Sequence, residues 1–315
     1  MIEIYRQHGM TMIETMVAMA ISSVLVLGSI TIYNNARSTY RTAENLARLQ
    51  ESLRFATDTL DQDIRLAGFW GRTNEGAGIL TNPLAVVECE TIDVSAWAIG
   101  PAAIGIGIEG DDDNYNLVCP GTNPRGNSDV LVVRHAATNQ NTVPTPDQVQ
   151  VLSHGAGGQI FSNGILPIAP PLDPNTHQVY DVTVNAYYVS NVSKYSNTLP
   201  SLRRRALVGT TMQDQEIITG VENMQVQYGI DRNDDGQADG YVDFDHPGRN
   251  NDNIVSVRLW LLVRGDTDET GQGYQDDDVY QTPDADGFVI NPDAGDAYPH
   301  NFRRFAFTKT IMLKN

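Results

Sequence analysis

The chain has 315 residues, 41% hydrophobic and 19% charged, which is enough apolar material for a packed core and excludes disorder of the whole chain. Its formal net charge of −18, of which −17 falls in residues 72–315, opposes binding to nucleic acid phosphates and to anionic membrane surfaces. Its two cysteines, Cys89 and Cys119, are too few for a disulfide scaffold or a cysteine-rich zinc site.

The first predicted element is an apolar helix close to the N-terminus. The stretch from Thr15 to Tyr33 carries no charged residue, and at 1.5 Å per residue it reaches roughly 28 Å, about one bilayer hydrocarbon core. Glu14 stands just inside the apolar boundary, where an ionised carboxylate costs at least ~2.5 kcal/mol and usually has a function. A secretory signal would carry its small residue after the apolar stretch, whereas Gly9 precedes it. A plain signal anchor remains the alternative.

The sequence GMTMIE, which begins at Gly9 and precedes the apolar run, resembles the type IV prepilin signature. The resemblance implies that a prepilin peptidase cleaves after Gly9, so that residues 1–9 are a leader, and methylates the new N-terminal residue, Met10. It also implies that Glu14 meets the free amine of a subunit during filament assembly. This role is physically reasonable because a carboxylate in a low dielectric needs a cationic partner.

The helix is predicted to continue past the membrane to residue 67, because residues 36–67 contain neither proline nor glycine and Gly68 is a typical stop. One face of this part carries an apolar stripe with steps of three and four residues. The repeat is interrupted at Asp63, where an apolar residue is expected, and the apolar Ile64 follows it in the sequence. The stripe consists of Leu46, Leu49, Leu53, Ala56, Leu60 and Ala67. A coiled coil is one interpretation, but the short length favours packing on a β-sheet of the same chain.

The rest of the chain is predicted to be rich in β-strands. Seven segments are β-branched and aromatic, and several alternate between apolar and polar residues: 130–135, 148–152, 179–190, 202–208, 217–230, 254–264 and 302–313. One long helix followed by strands predicts an α+β fold in which the helix lies on an antiparallel sheet. The basic run at 203–205 is expected to pair with acids of this domain rather than with nucleic acid.

Four segments resemble PilW-type minor pilins, namely 63–69, 220–231, 255–264 and 302–315, whereas 72–200 and 265–301 are not covered by the resemblance. The resemblance implies a type IV pilin fold. It divides the chain into a leader (1–9), an N-terminal helix (10–67, spanning the membrane over about 10–35) and a globular pilin domain (68–315).

The two cysteines bracket a region rich in Gly, Asn and Asp. If Cys89 and Cys119 are bonded to each other, they close a loop of about 31 residues, worth ~3–4 kcal/mol in the chain-entropy model. Such a bond requires an oxidising compartment. Two buried free thiols are the alternative.

One acidic loop has the residue pattern of a calcium site. The candidate ligands are Asp231, Asn233, Asp235, Gln237 (through its carbonyl) and Asp239. Gly236 permits the sharp turn, but the twelfth position is Val242 rather than the glutamate of an EF-hand, so weak affinity is expected. An acidic hairpin turn has the same composition and remains open. The other acidic runs, 111–113 and 276–278, are expected to be solvated loops.

These observations predict a structural assembly protein without enzymatic activity. It would be a minor pilin that joins other minor pilins to prime type IV pilus assembly and stays at the fibre tip. Its expected partners are the major pilin, other minor pilins, prepilin peptidase and a tip adhesin. The protein would lie in the inner membrane, with its globular domain in the periplasm, before it reaches the extracellular tip.

Two other functions remain open. One is a J-type pseudopilin of type II secretion, which the same family resembles. The other is a membrane-tethered periplasmic hydrolase, since the loop 154–158 weakly resembles the oxyanion-hole loop of lipases. No G-x-S-x-G nucleophile motif, P-loop or dinucleotide fingerprint accompanies that loop.

Overall fold

The computed structural model describes residues 9–73, 76–155, 157–167, 177–247, 249, 253–284, 287–293 and 298–314. Residues 1–8 of the predicted leader lie outside this part. The chain divides into two units, Met1–Arg48 and Leu49–Asn315, and the first helix passes through the boundary between them. The second unit is called the body below.

The helices are α1 (Met12–Arg65), α2 (Ser95–Ile99) and α3 (Pro101–Ile106), and short 3₁₀ turns lie at Gly76–Gly78 and Thr270–Gln272. The strands are β1 (Ile79–Thr81), β2 (Glu88–Cys89), β3 (Ile92–Asp93), β4 (Ile108–Asp111), β5 (Val130–Asn141), β6 (Pro146–His154), β7 (Gly157–Asn163), β8 (Gln178–Ser190), β9 (Ser201–Val208), β10 (Thr211–Thr219), β11 (Val221–Ile230), β12 (Gly240–Val242), β13 (Ile254–Arg264), β14 (Tyr280–Gln281), β15 (Val289–Ile290) and β16 (Arg304–Met312).

Helix α1 has the long N-terminal course that the sequence predicts. Its body part is buried along the predicted stripe, except that Leu46, just outside the body, is 39% exposed. The buried stripe residues belong to one apolar cluster with side chains from β5, β8, β9, β11, β13 and β16. They are Leu49, Leu53, Ala56, Leu60, Ile64 and Ala67. The prediction that the stripe packs on sheets of the same chain is therefore confirmed.

Asp63 interrupts the apolar stripe because it has polar partners on the sheet. Its carboxylate accepts hydrogen bonds from the Tyr187 hydroxyl (2.6 Å) and from the side-chain amide of Asn185, and His135 Nε2 lies 3.6 Å away. Burial acts to raise the pKa of Asp63, but the contacts with His135, Tyr187 and Asn185 outweigh it and the pKa is lowered. The acid therefore fixes the helix against β5 and β8 through polar contacts.

The larger sheet has ten strands in the order β1-β7-β6-β8-β9-β10-β2-β3, and β5 pairs with both β4 and β8 off this path. Most neighbours are antiparallel, but β1 pairs with β7 and β10 pairs with β2 in parallel. The sheet, predicted to be antiparallel, is therefore mostly antiparallel with parallel pairs towards its edges. Strand β7 was not predicted, because its sequence GGQIFSN has two glycines and little β-branched character.

The smaller sheet is antiparallel, with the order β12-β11-β13-β16. The single strand predicted over 217–230 is in fact two strands, and β10 and β11 belong to different sheets. Gly220 separates them in a left-handed conformation (φ 90°), and a Cβ at this position would lie 2.7 Å from the carbonyl oxygen of Arg264. Only glycine fits this crossing between the sheets.

Strand β11 is buried along its entire length. Its apolar side chains join the cluster around α1, whereas polar side chains such as Asn223, Gln225 and Gln227 make hydrogen bonds to other polar groups. Glu222, for example, binds Arg264 (Nη1–Oε1 3.2 Å) and Arg304 (Nε–Oε2 2.6 Å). Arg304 also binds Asp276 (Nη1–Oδ2 2.8 Å).

The expectation of solvated acidic loops is wrong for Asp276, which is 1% exposed because it neutralises this buried arginine. The basic run at 203–205 behaves as predicted. Arg203 pairs with Asp214 and Glu216, and Arg205 pairs with Glu90.

Candidate functional site

The N-terminal part of α1 presents apolar side chains on all sides. Every residue from Gly9 to Arg37 is exposed, and the helix is long and apolar enough to cross a membrane. Several of its hydroxyl groups bond within the helix; Ser29 and Thr31, for example, donate to the carbonyls of Leu25 (2.8 Å) and Leu27 (3.0 Å). A helix with satisfied polar groups and exposed apolar side chains suits lipid, or other helices of the same kind, as its surroundings.

Glu14 caps the start of this helix. Its carboxylate accepts hydrogen bonds from the backbone N–H and the hydroxyl of Thr11, both at 2.8 Å, and the Thr11 hydroxyl in turn accepts the N–H of Glu14 (3.4 Å). This reciprocal arrangement is a capping box. The carboxylate stays exposed near the predicted cleavage point between Gly9 and Met10. It can therefore give up its hydrogen bonds to Thr11 when a cationic partner approaches.

The loop from Asp231 to Asp239 is organised around the carboxylate of its first residue. Asp231 accepts backbone N–H groups from Asn233 (3.1 Å), Asp234 (2.8 Å) and Gly236 (2.6 Å). Burial acts to raise the pKa of Asp231, but these N–H groups, Gly236 first, outweigh it and the pKa is lowered. Gly236 has φ 79°, the left-handed conformation expected of it.

The side chains of three other predicted ligands also accept hydrogen bonds from backbone groups of this loop. Asp235 accepts the N–H of Gln237 (2.9 Å), Asn233 accepts the N–H of Asp235 (3.0 Å), and Asp239 accepts the N–H of Arg232 (2.8 Å). These contacts are those of a well-formed acidic turn, and the turn leaves oxygen lone pairs for a cation. Calcium binding by this loop stays a prediction.

Cys89 and Cys119 form a disulfide, with both residues fully buried. The bond joins β2, the second strand from one edge of the larger sheet, to the loop between β4 and β5. The prediction of this pairing is confirmed, and the alternative of two free thiols is wrong.

Sequence reasoning missed the polar groups that hold the body together. Asp63 was noted only as a break in the stripe, and neither Glu222 nor Arg304 was singled out. The sequence does carry one signal for such groups, which is an acid in an apolar stripe or in a strand of apolar residues. An acid in such a place is expected to be buried, and a buried charge needs a buried partner.

Comparison with known families adds two matches. The model of type IV pilus-assembly protein W (PilW) matches residues 186–315, and the model of the prokaryotic N-terminal methylation motif matches residues 4–30. No curated protein and no solved structure matches the chain significantly.

The PilW match is wider than the sequence motifs indicated, because it runs without a break through 265–301. It includes three of the four motif segments and leaves the segment 63–69 outside. The methylation motif includes Gly9, Met10 and Glu14. The two matches agree with the long apolar helix followed by a sheet-rich domain, and over residues 186–315 and 4–30 the chain is similar to PilW-type pilus-assembly proteins and to prepilins.

Proposed function

We propose that this protein is a minor pilin that joins a complex of minor pilins, primes the assembly of a type IV pilus and remains at the fibre tip. The observation that carries the proposal is the combination of a prepilin methylation motif with a PilW match in one chain. Such a protein acts through its contacts and not through catalysis. Prepilin peptidase would process it in the inner membrane, and its body would face the periplasm.

The N-terminal helix supports a role in assembly. Its exposed apolar surface is stable in the bilayer before assembly and among the equivalent helices of other pilins afterwards. In the unassembled chain, Glu14 is held by the capping box with Thr11. The methylated amine of Met10 in a neighbouring subunit would be a stronger partner in a low dielectric, so the carboxylate favours correct register.

The charge of the body supports a low copy number. Residues 72–315 carry −17 of the formal charge, so bodies stacked along a shaft would repel one another. A single copy at the end of a fibre avoids this repulsion. The same charge gives the body a polar, acidic surface that other minor pilins and a tip adhesin can contact.

The proposal is tested in the native host with the full chain and its Glu14→Ala variant. Sheared fibres of the wild type should contain a chain that begins at methylated Met10, as measured by N-terminal mass spectrometry, and immunogold label should lie at fibre ends. Glu14→Ala should reduce fibre number and incorporation. The matched control is Glu44→Ala, which removes another exposed helix glutamate whose partner is Arg48 (2.8 Å) and should assemble normally.

Two results would contradict the proposal. Label distributed along the shaft would exclude the tip. Normal fibres together with lost protein secretion in a deletion strain would identify a type II secretion pseudopilin instead.

A further inference from the structure

Three carboxylates from separate parts of the chain meet in the body. Asp112 follows β4, Asp129 precedes β5, and Asp284 lies in the turn between β14 and β15. One oxygen from each lies within 4.8 Å of the others. Oxygens that bind one Ca²⁺ at about 2.4 Å can be at most about 4.8 Å apart, so the three carboxylates are close enough to bind a single ion.

Among the described residues, Asp284 makes no salt bridge, and the charged groups that act on it, Asp112, Asp113 and Asp243, are all acids. It is 9% exposed, and neither of its carboxylate oxygens accepts a hydrogen bond from the part of the chain that the structure describes. The hydroxyl of Thr282, in the same turn, donates to the carbonyl of Phe288 (2.8 Å). An ionised carboxylate that is buried without a donor is costly, and burial raises the pKa of Asp284 to about 7. A bound cation would stabilise the ionised form, so the group points to a ligand that supplies positive charge.

Asp129 is held in a fixed orientation. It is 3% exposed; one carboxylate oxygen accepts the N–H of Asp113 (2.9 Å) and the other accepts the N–H of Val226 (2.7 Å). Each oxygen retains a second lone pair for a cation. Hydrogen bonds of this kind orient the ligands of protein metal sites.

The hairpin that carries Asp284 is also held in place. The side-chain amide of Gln227, on β11, donates to the carbonyl of Pro283 (2.7 Å) and to Asp243 (2.9 Å). Asp284 therefore reaches the other two carboxylates from a supported turn.

The hydroxyl of Tyr228 is a further polar atom beside this group. It is buried and has no hydrogen-bond partner among the described residues. Burial, and then the charge of Asp129, raises the pKa of Tyr228. Arg249 lies over the Tyr228 ring at 5.7 Å, stacks on Phe244 at 4.0 Å and donates to the Phe244 carbonyl (2.6 Å).

We propose that Asp112, Asp129 and Asp284 bind one Ca²⁺ ion that joins the β14–β15 hairpin to the larger sheet. The ligands are hard oxygens without histidine or cysteine, which selects Ca²⁺ or Mg²⁺ over Zn²⁺ and Cu²⁺. Three carboxylates from separate segments suit Ca²⁺, because Ca²⁺ accepts irregular coordination whereas Mg²⁺ demands a near-ideal octahedron. The site shares no residue with the loop at 231–239, and it links Asp284, inside the PilW match, to two acids outside it.

The test uses the full-length protein in detergent, with thermal melts followed by tryptophan fluorescence. Each variant is made in an Asp235→Asn background, which removes one ligand of the loop at 231–239. In that background, millimolar Ca²⁺ should raise the melting temperature relative to EDTA, and Mg²⁺ should raise it less. Adding Asp284→Asn should abolish the Ca²⁺-dependent rise and should raise the melting temperature in EDTA, because it removes an uncompensated buried charge.

The matched control is Asp277→Asn, which removes an exposed carboxylate seven positions before Asp284 and should leave the rise unchanged. Terbium provides a second measurement, since Tb³⁺ bound next to Tyr228 should emit on tyrosine excitation. Ca²⁺ should displace it, and Asp284→Asn should weaken its binding at least tenfold.

Three results would overturn the proposal. The first is the absence of a Ca²⁺-dependent rise in the Asp235→Asn background. The second is a rise that survives Asp284→Asn. The third is a melting temperature in EDTA that is lower for Asp284→Asn than for its parent, which would show that the carboxylate is already satisfied without an ion.

Discussion

Replacing Arg304 by methionine should destabilise the body strongly, because this side chain neutralises two buried acids at once. Its Nε lies 2.6 Å from Glu222, and its Nη1 lies 2.8 Å from Asp276. The side chains of all three residues have no exposed surface. Arg304→Met keeps the length of the side chain and most of its packing but removes the charge.

The loss can be worked out from the groups left behind. Glu222 keeps Arg264 at 3.2 Å, whereas Asp276 keeps the hydroxyl of Tyr280 (3.1 Å) and the N–H of Asp278 (3.4 Å) but, among the described residues, no cation. Removing one partner of a buried ion pair costs about 3–5 kcal/mol. For a domain of this size, 1 kcal/mol corresponds to roughly 2–4 °C, so the melting temperature should fall by roughly 6–20 °C.

The assay is urea or thermal unfolding of the full-length protein in detergent, followed by tryptophan fluorescence. Trp70, Trp97 and Trp260 all lie in the body, so the signal reports on the body rather than on the apolar helix. The matched control is Arg54→Met. Arg54 pairs with Glu51 on the helix surface with 68% of its side chain exposed, and such pairs contribute little.

A second substitution separates lost charge pairing from lost packing. The double variant Glu222→Gln with Arg304→Met should lose less stability than the sum of the two single variants, by about 0.5–3 kcal/mol, because the groups are coupled. If Arg304→Met costs no more than Arg54→Met, the buried network does not stabilise the body and the reasoning fails.

Three further predictions concern other parts of the body. Replacing Cys89 and Cys119 by alanine should lower the free energy of unfolding by ~3–4 kcal/mol, and an unchanged urea midpoint would contradict this. Asp63→Asn should cost about 1–2 kcal/mol at neutral pH. Because the folded-state pKa of Asp63 is lowered, its contribution is complete above the unfolded value of about 3.9 and is lost as the pH falls through the folded value. The difference between wild type and Asp63→Asn should therefore shrink in acid, and a constant difference down to about pH 3 would refute the assignment. In an Asp284→Asn background, the double change Asp231→Ala and Asp235→Ala should remove any remaining Ca²⁺-dependent rise in melting temperature, and a rise that persists would leave the loop as an acidic turn.

The sequence by itself determined the features that depend on neighbours along the chain. The glycine before the apolar run, the acid at its edge and the stripe from Leu49 to Ile64 are all local patterns, because a helix repeats every 3.6 residues. Strands such as β5 and β13 were also predictable, since β-branched runs favour an extended backbone whatever they pair with. The prepilin character of the chain follows from such patterns.

Only the tertiary structure decided which distant residues meet. Alternation along a strand shows which side chains share a face, but it does not show which strand lies beside it, so the division of 217–230 between two sheets at Gly220 was not predictable. For the same reason, an acid in a stripe did not reveal Tyr187 as its partner. Asp112 and Asp284, which are separated by most of the body's sequence, come within reach of one ion only because two sheets and a hairpin fold together.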